Sequence, residues 1–401
     1  MDGPIAEPRP AAPDFDAEAP ETFDSPHALH ADLRARCPVA RAEGLGGFWA
    51  LLAHADVKAV LADQATFVTS VQNVVPKIAF TGRRPPLHLD PPEHTPYRAA
   101  IAPLLSASRV ATLEPTVRRI VAGLLDPLIA TGEGDICAAF GADMPVQVFG
   151  EWMNLEAPDL AALRDAGKAF NMAVQSGVGE VVKETSLALY AMARDLIARR
   201  KATPLDPATD VTTALLAARV GGEPFPDEMI VGTVRQVLVV GIVAPSVIIG
   251  SVCVHLSRDP ALQDRLRADP SLIPAAVEEF LRLCTPYRGF ARTATRDVEI
   301  GGRTIRKDEP IALVYAAANR DPAVFPDPEA FVLDRPNIGE HLAFGRGAHH
   351  CAGIHLARLE LRVTLEELLA RTRRFDLAGE PLQTRFPEIG ARSVPLRFER
   401  T

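Results

Sequence analysis

The eighteen residues from Val237 to Val254, VLVVGIVAPSVIIGSVCV, contain no charge and carry a proline, Pro245, near their middle. An apolar run of that length is enough to cross a bilayer. A helix apolar on every side is either a membrane span or a core helix enclosed by protein. Charged, amphipathic segments lie on both sides of it, with no second span and no aromatic belt, which favours the core helix and no membrane. Pro245 has no N–H for the Gly241 carbonyl, and its ring crowds that carbonyl, so a kink or opening is expected there.

The chain around this stretch is largely helical in pattern. TVRRIVAGLLDPLIA, DLAALRDAGKAFNMAV, TSLALYAMARDLIARRK and LARLELRVTLEELLARTR repeat apolar residues at helical spacing. Strand patterns are few: GFWALL, and DVEIGGRTIRKDEPIALVY, which reads as a hairpin turning at Gly301-Gly302. No repeat or linker divides the chain. The expected fold class is therefore mainly α with small β-sheets, in one domain over residues 23–401.

Residues 1–22 are proline-rich and acidic, with neither a basic start nor an apolar run. They read as a disordered tail rather than a targeting segment. Five scattered cysteines without a CxxC pair fit a reducing, cytoplasmic setting. The formal net charge of −8 argues against nucleic acid as a partner.

One cysteine stands apart. In FGRGAHHCAG, Phe344 to Gly353, Cys351 leads into an amphipathic helix. Free amides and the helix dipole at such a position favour an anionic sulfur. Gly345 and Gly347 let the preceding loop pass close to a flat object. Two other readings compete. A lone cysteine is usually a small buried hydrophobe, the default for Cys37, Cys137, Cys253 and Cys284. A zinc site is the second, because His349, His350, Cys351 and His355 cluster and Cys351 and His355 are four apart. Neither accounts for the glycines and Phe344.

The loop closely resembles the haem-binding loop of the cytochrome P-450 family, matching at Phe344, Gly345, Gly347, His349, Cys351 and Gly353. The resemblance implies a triangular-prism fold with haem b (iron protoporphyrin IX) held between a distal and a proximal helix. It makes Cys351 the axial iron ligand, whose electron donation promotes O–O cleavage, and His349 a propionate contact. EEFLR puts Glu279 and Arg282 on one helix face some seventy residues earlier. By the same resemblance they form a buried structural network with Arg335. In DPPEHTPYR, His94 and Arg98 share a face, with Thr95 a plausible cap and Pro96 in the first turn. With Arg292 they match the family's cations for the haem propionates.

The distal helix departs from the family. The acid and alcohol that commonly relay protons there are replaced by Val243 and Ala244, and no Asp or Glu occurs between Glu228 and Asp259. The Gly241 carbonyl freed by Pro245 is expected to hold a water, or a substrate hydroxyl or carboxylate to deliver the proton instead. The alternative is that Ala244 and Pro245 merely shape an apolar pocket. By position in the family, Val240, Ala244, Tyr287, Arg288, Phe290 and the loop VTSVQNVVPKIAFTGRRPPL face the substrate. Arg83, Arg84 and Arg288 are candidates for a carboxylate, and Arg346 and Arg358 for partner docking.

The resemblance implies an oxidoreductase, a monooxygenase inserting one atom of O2 into a small, mostly apolar molecule by hydroxylation or dealkylation. The chain has no flavin or NAD(P) fingerprint, so electrons are expected from a ferredoxin or flavodoxin and its reductase. A peroxide-driven peroxygenase is the alternative reading. A non-catalytic haem-binding or partner-recruiting protein is the third, and the complete cysteine loop argues against it.

Overall fold

The structure, a computed structural model, describes residues 12–77 and 81–401. Its helical body contains α1 (His94–Ile101), α2 (Glu114–Ala130), α3 (Met144–Trp152), α4 (Ala157–Ser176), α5 (Gly179–Ala202), α6 (Asp227–Val240), α7 (Val243–Arg258), α8 (Ile273–Leu283) and α9 (Ile354–Arg371). In α2, Val117, Ile120, Val121, Leu125 and Leu128 recur at helical spacing and are all buried, and the helix packs on α9. Arg118 and Arg362 tie the same two helices at their surface, to Glu366 at 2.6 Å and to Glu114 at 2.5 Å.

The uncharged stretch occupies the centre of this body. From Ile230 to Val239 every residue of α6 is buried, and α7 buries Val243, Pro245 and Val247 through Gly250. The run Asp227–Arg258 has a mean hydropathy of 2.6 in its most apolar window, and 67% of that window is enclosed by protein. Burial on all sides removes the need for a polar face.

The β part is minor, as expected. A six-stranded sheet takes β1 (Phe15–Asp16), β2 (Val39–Glu43), β3 (Phe48–Leu51), β4 (Phe67–Val68), β5 (Phe290–Ala294) and β6 (Pro310–Leu313) in the order β1-β2-β3-β6-β5-β4. The Gly301-Gly302 hairpin forms where the pattern puts it, with Ile300 opposite Arg303 and φ of +56° and +73° at the two glycines. Positive φ at both central residues is what a two-residue turn of this twist requires.

The tail ends earlier than expected. Phe15 and Asp16 pair in parallel with Ala42 and Glu43, and Ala17 and Thr22 are buried. Asp14 accepts hydrogen bonds from the Arg41 amide at 2.7 Å and Arg303 Nη2 at 2.8 Å. Composition argued for disorder through residue 22, but a sheet edge and two arginines supply partners to residues 14–17. The rest of that expectation, residues 1–11, lies outside the described residues.

Candidate functional site

The cysteine loop leads into α9. Gly345 and Gly347 take φ of +64° and +75°, a region that only glycine enters without strain. A side chain on Gly347 would also come within 2.6 Å of the Leu61 carbonyl. The Cys351 amide donates to the Phe344 carbonyl at 2.9 Å, and the His350 amide to Gly347 at 3.1 Å, closing the loop. The first helical residue is Ile354, so Cys351 lies just outside the helix rather than in its first turn, with the Gly353 amide directed at its sulfur.

Burial holds the Cys351 thiol above its ordinary pKa, outweighing the Gly353 amide and the guanidinium groups of Arg98 and Arg358. The expected lowering is therefore not achieved by the loop alone. Deprotonation of a ligand thiol is coupled to metal binding. Among the described residues, no three His, Cys, Asp or Glu side chains converge where one metal ion could sit, which leaves the zinc reading without a ligand set.

His94 and Arg98 meet the loop at His349 and His350. His94 is 3% exposed, and neither of its ring nitrogens has a hydrogen-bond partner. Burial, with His349 and Arg98 adding positive field, depresses its pKa to about 4. Its ring lies 4.6 Å from that of His349. Arg98 Nη2 donates to the His350 carbonyl at 2.6 Å. Arg292, on β5 and 5% exposed, donates to the Ala291 carbonyl at 2.9 Å and has no carboxylate partner among the described residues. A buried imidazole with no partner on either nitrogen, and arginines without a carboxylate, call for anionic acceptors. Two propionates meet that need, so these residues fit a haem. Helix α1 itself begins at His94, with no side-chain cap, so Thr95 does not cap it.

His349 has a partner that the sequence did not reveal. Its Nε2 lies 3.1 Å from Thr69 Oγ1 and 3.8 Å from Asp90 Oδ1. Burial pushes Asp90 up, but hydrogen bonds from His349, Ser70 and Thr69 hold it well below the ordinary carboxylate range. Asp90 opens the DPPEH segment and is the only signal there that could have pointed to this pairing.

Behind the loop, Glu279, Arg282 and Arg335 are 0%, 0% and 5% exposed. Arg282 grips Glu279 with Nε at 2.8 Å and Nη2 at 2.7 Å, and Arg335 Nε reaches it at 3.0 Å. The outer nitrogens donate to the carbonyls of Asn319, Pro328, Ala330 and Pro326. Every charge is thus paired and hydrogen-bonded, the condition under which a buried ionic group is tolerated. Glu278, next in sequence, has a different task. It takes Arg358 Nε at 2.6 Å and Nη2 at 2.7 Å, and His341 Nε2 at 3.2 Å, while Arg358 lies over the Phe344 ring. Arg358 is therefore tied to the loop, and Arg346 pairs with Glu340 at 3.3 Å.

The long apolar helix breaks at Gly241 and Ile242, between α6 and α7, and not at Pro245. The Ile242 amide turns back to Val239 at 3.1 Å. The break puts Pro245 in the first turn of α7, where a missing N–H costs nothing. A side chain on Gly241 would overlap the ring of Phe149 on α3, so the chain approaches α3 closely at this point. Val243 and Pro245 are buried, Ala244 is partly exposed, and Val240 is 51% exposed within an otherwise buried helix. The nearby Ser246 hydroxyl donates to the Val243 carbonyl at 2.8 Å.

Of the other expected pocket residues, Tyr287 and Phe290 stack at 4.8 Å. Burial, with Glu388 and Cys351 adding negative field, raises the Tyr287 pKa. Arg288 does not belong with them. It is held between the rings of Phe23 and Phe386 and donates to the Thr22 carbonyl at 2.5 Å and to Thr384 at 3.4 Å. The N-terminal segment, read as a tail, is what captures it. In the covering loop, residues 78–80 lie outside the described residues.

Comparison with known proteins identifies the family of the chain. The cytochrome P-450 family model matches residues 170–389. The chain is 33% identical to mycinamicin IV hydroxylase/epoxidase of Micromonospora griseorubida over 382 residues, covering 91% of this chain and 94% of that one. It is 31% identical to linalool 8-monooxygenase of Pseudomonas putida, covering 90% and 92%. Among solved structures, cytochrome P-450 CYP109Q5 from Chondromyces apiculatus superposes with a TM-score of 0.87 at 30% identity, covering 96% and 98% of the two chains.

Proposed function

The chain belongs to the cytochrome P-450 family of monooxygenases, and on that premise we propose that Cys351 is the thiolate ligand of a haem b. The observation carrying this is the Cys351 loop joined to the buried His94 ring, both of whose nitrogens lack partners. His94, Arg98, Arg292 and His349 hold the propionates, and Glu279, Arg282 and Arg335 fix the segment behind the loop. When bound, the haem supplies the dioxygen and one-electron chemistry that inserts an oxygen atom into substrate. Val240, Ala244, Tyr287 and Phe290 exclude water and shape the substrate site.

The reaction is hydroxylation or dealkylation of a small, mostly apolar molecule by a single haem domain in the cytoplasm. Electrons come from a ferredoxin or flavodoxin with its reductase. The relatives' activities, a hydroxylase/epoxidase and a linalool 8-monooxygenase, support oxygen insertion. Proton delivery does not use an acid-alcohol pair. The Gly241 carbonyl, at the helix break, holds a water, or the substrate brings its own polar group.

Two measurements test this. Carbon monoxide added to the reduced protein should give a thiolate-type Soret band that Cys351→Ala abolishes, and a band surviving that substitution refutes the ligand. Product formation should require the reductase system.

A peroxygenase is the second reading, favoured by one observation. No carboxylate lies on α6 or α7 between Glu228 and the end of α7, and the Ser246 hydroxyl is committed to its own helix. Turnover with hydrogen peroxide alone, matching the rate with reductase, would establish it.

A further inference from the structure

N-terminal to the helix break, two arginines lack a carboxylate partner among the described residues, and the charge of one, Arg84, bears on the other, Arg235. Arg235, on α6, is 1% exposed. Its Nη2 donates to Ser186 Oγ on α5 at 2.9 Å, and its Nε has no partner. The group sits 4.9 Å from the centre of the Phe170 ring and 5.7 Å from that of Tyr190. Burial, then the charge of Arg84, depresses its pKa to about 9. Arg84, partly exposed on the covering loop, donates from Nη2 to His88 Nε2 at 2.8 Å, and burial lowers its pKa too. Neither arginine makes an ion pair among the described residues, and no carboxylate figures among the charges acting on either.

Enclosing one charge without a counter-ion is costly, and two like charges add repulsion. Aromatic faces recover part of that cost, but they leave the Arg235 Nε orphaned and do nothing for the repulsion. The covering loop is seated firmly against the same helices. A side chain on Gly82 would come within 2.6 Å of the Tyr190 hydroxyl, and one on Gly232 of α6 would collide with the Arg83 carbonyl. Arg235 lies five residues before Val240, about 8 Å along the helix axis at 1.5 Å per residue. Arg235 is thus offset along α6 from Val240 by about the length of a short organic chain, and the loop carrying Arg84 packs on α5 and α6.

We propose that Arg235 and Arg84 form an oxyanion subsite that takes a carboxylate carried by the organic substrate, leaving its apolar end at Val240 and Ala244. This deepens the monooxygenase reading and rests on it: the substrate class becomes apolar carboxylic acids rather than neutral molecules. Arg235 and Arg84 are specificity residues and take no part in the oxygen chemistry. A guanidinium matches a carboxylate with two parallel donors, and Ser186 Oγ offers a third polar contact.

The test uses the haem-loaded protein with 4-phenylbutanoate, its primary amide, and acetate as a small-ion control. Affinity is read by calorimetry and by the shift in melting temperature. The acid should bind at least tenfold more tightly than the amide. Arg235→Met and Arg84→Met should each remove most of that preference while leaving amide affinity within about twofold. Equal affinity for acid and amide, no binding of the acid, or a preference that survives both substitutions overturns the proposal. Stabilisation by acetate equal to that by 4-phenylbutanoate identifies a free small ion and also overturns it. The carbon monoxide spectrum of the same samples keeps the two readings separate, because loss of the thiolate band is a failure of the haem assignment and not of the subsite.

Discussion

The ring of Phe149 fills the space that a side chain on Gly241 would need, and the distal helix breaks at this glycine. The break is thus set by a close approach between α3 and the α6–α7 junction. It places Val240, Gly241 and Ala244 around an irregular turn rather than along a regular helix.

Gly241→Ala should overpack this contact and destabilise the haem-loaded protein by about 1–3 kcal/mol. Phe149→Leu in the same chain should recover part of the loss. Unfolding in denaturant across the four variants of the cycle measures the coupling, and strictly additive effects would contradict it.

Glu279 neutralises two buried guanidinium groups, whereas Arg335 is one of two partners of Glu279. Glu279→Ala should therefore be the more damaging change, on the order of 3–5 kcal/mol because it strands buried charge. Arg335→Met leaves Glu279 paired with Arg282 and should cost less. Melting temperature and haem content per chain, compared across the two variants, give the ranking.

Glu388, 4% exposed, takes Gln175 Nε2 at 2.5 Å. Burial raises its pKa from 4.5 to about 7, against the lowering pull of its own backbone, Arg288 and Gln175. Between those values the native state holds a proton that the unfolded chain has released. Stability should fall as pH rises through that window and level off above it, by on the order of 3 kcal/mol. Glu388→Gln should flatten the profile, read from denaturant midpoints at pH 5 and pH 7.5.

In the proposed reading, Ala244 takes the place of the family's proton-relay alcohol. If water at the Gly241 carbonyl or the substrate delivers protons, Ala244→Thr should leave the product formed per electron consumed unchanged or lower it. A marked rise in that ratio, measured from NADPH consumed and product formed, would show that delivery in the native protein is the weak step.

Much of the site could be read before any fold was known. The Cys351 loop is contiguous, its glycines answer to backbone conformation, and the Glu279–Arg282 pair is three residues apart on one helix, so local spacing carries the message. The enclosed apolar helix and the Gly301-Gly302 turn were legible for the same reason. The position of the helix break was not, because Pro245 is the local irregularity while Phe149 is ninety-two residues from the glycine it abuts.

Side-chain partners separated by long stretches of chain were decided by the tertiary structure alone. Arg358 looked free and is bound to Glu278, eighty residues away. Arg288 looked like a pocket residue and is held by Thr22 and two phenylalanines from opposite ends of the chain. Arg235 lies in an apolar helix pattern and gave no sign that the charge of Arg84, some 150 residues earlier, would bear on it. The sequence by itself determined which chemistry is present and the helices that carry it, since those depend on neighbours within a few turns. Which charges are paired, and which stay enclosed without a counter-ion, depends on dense packing of distant segments, and only the folded chain decided it.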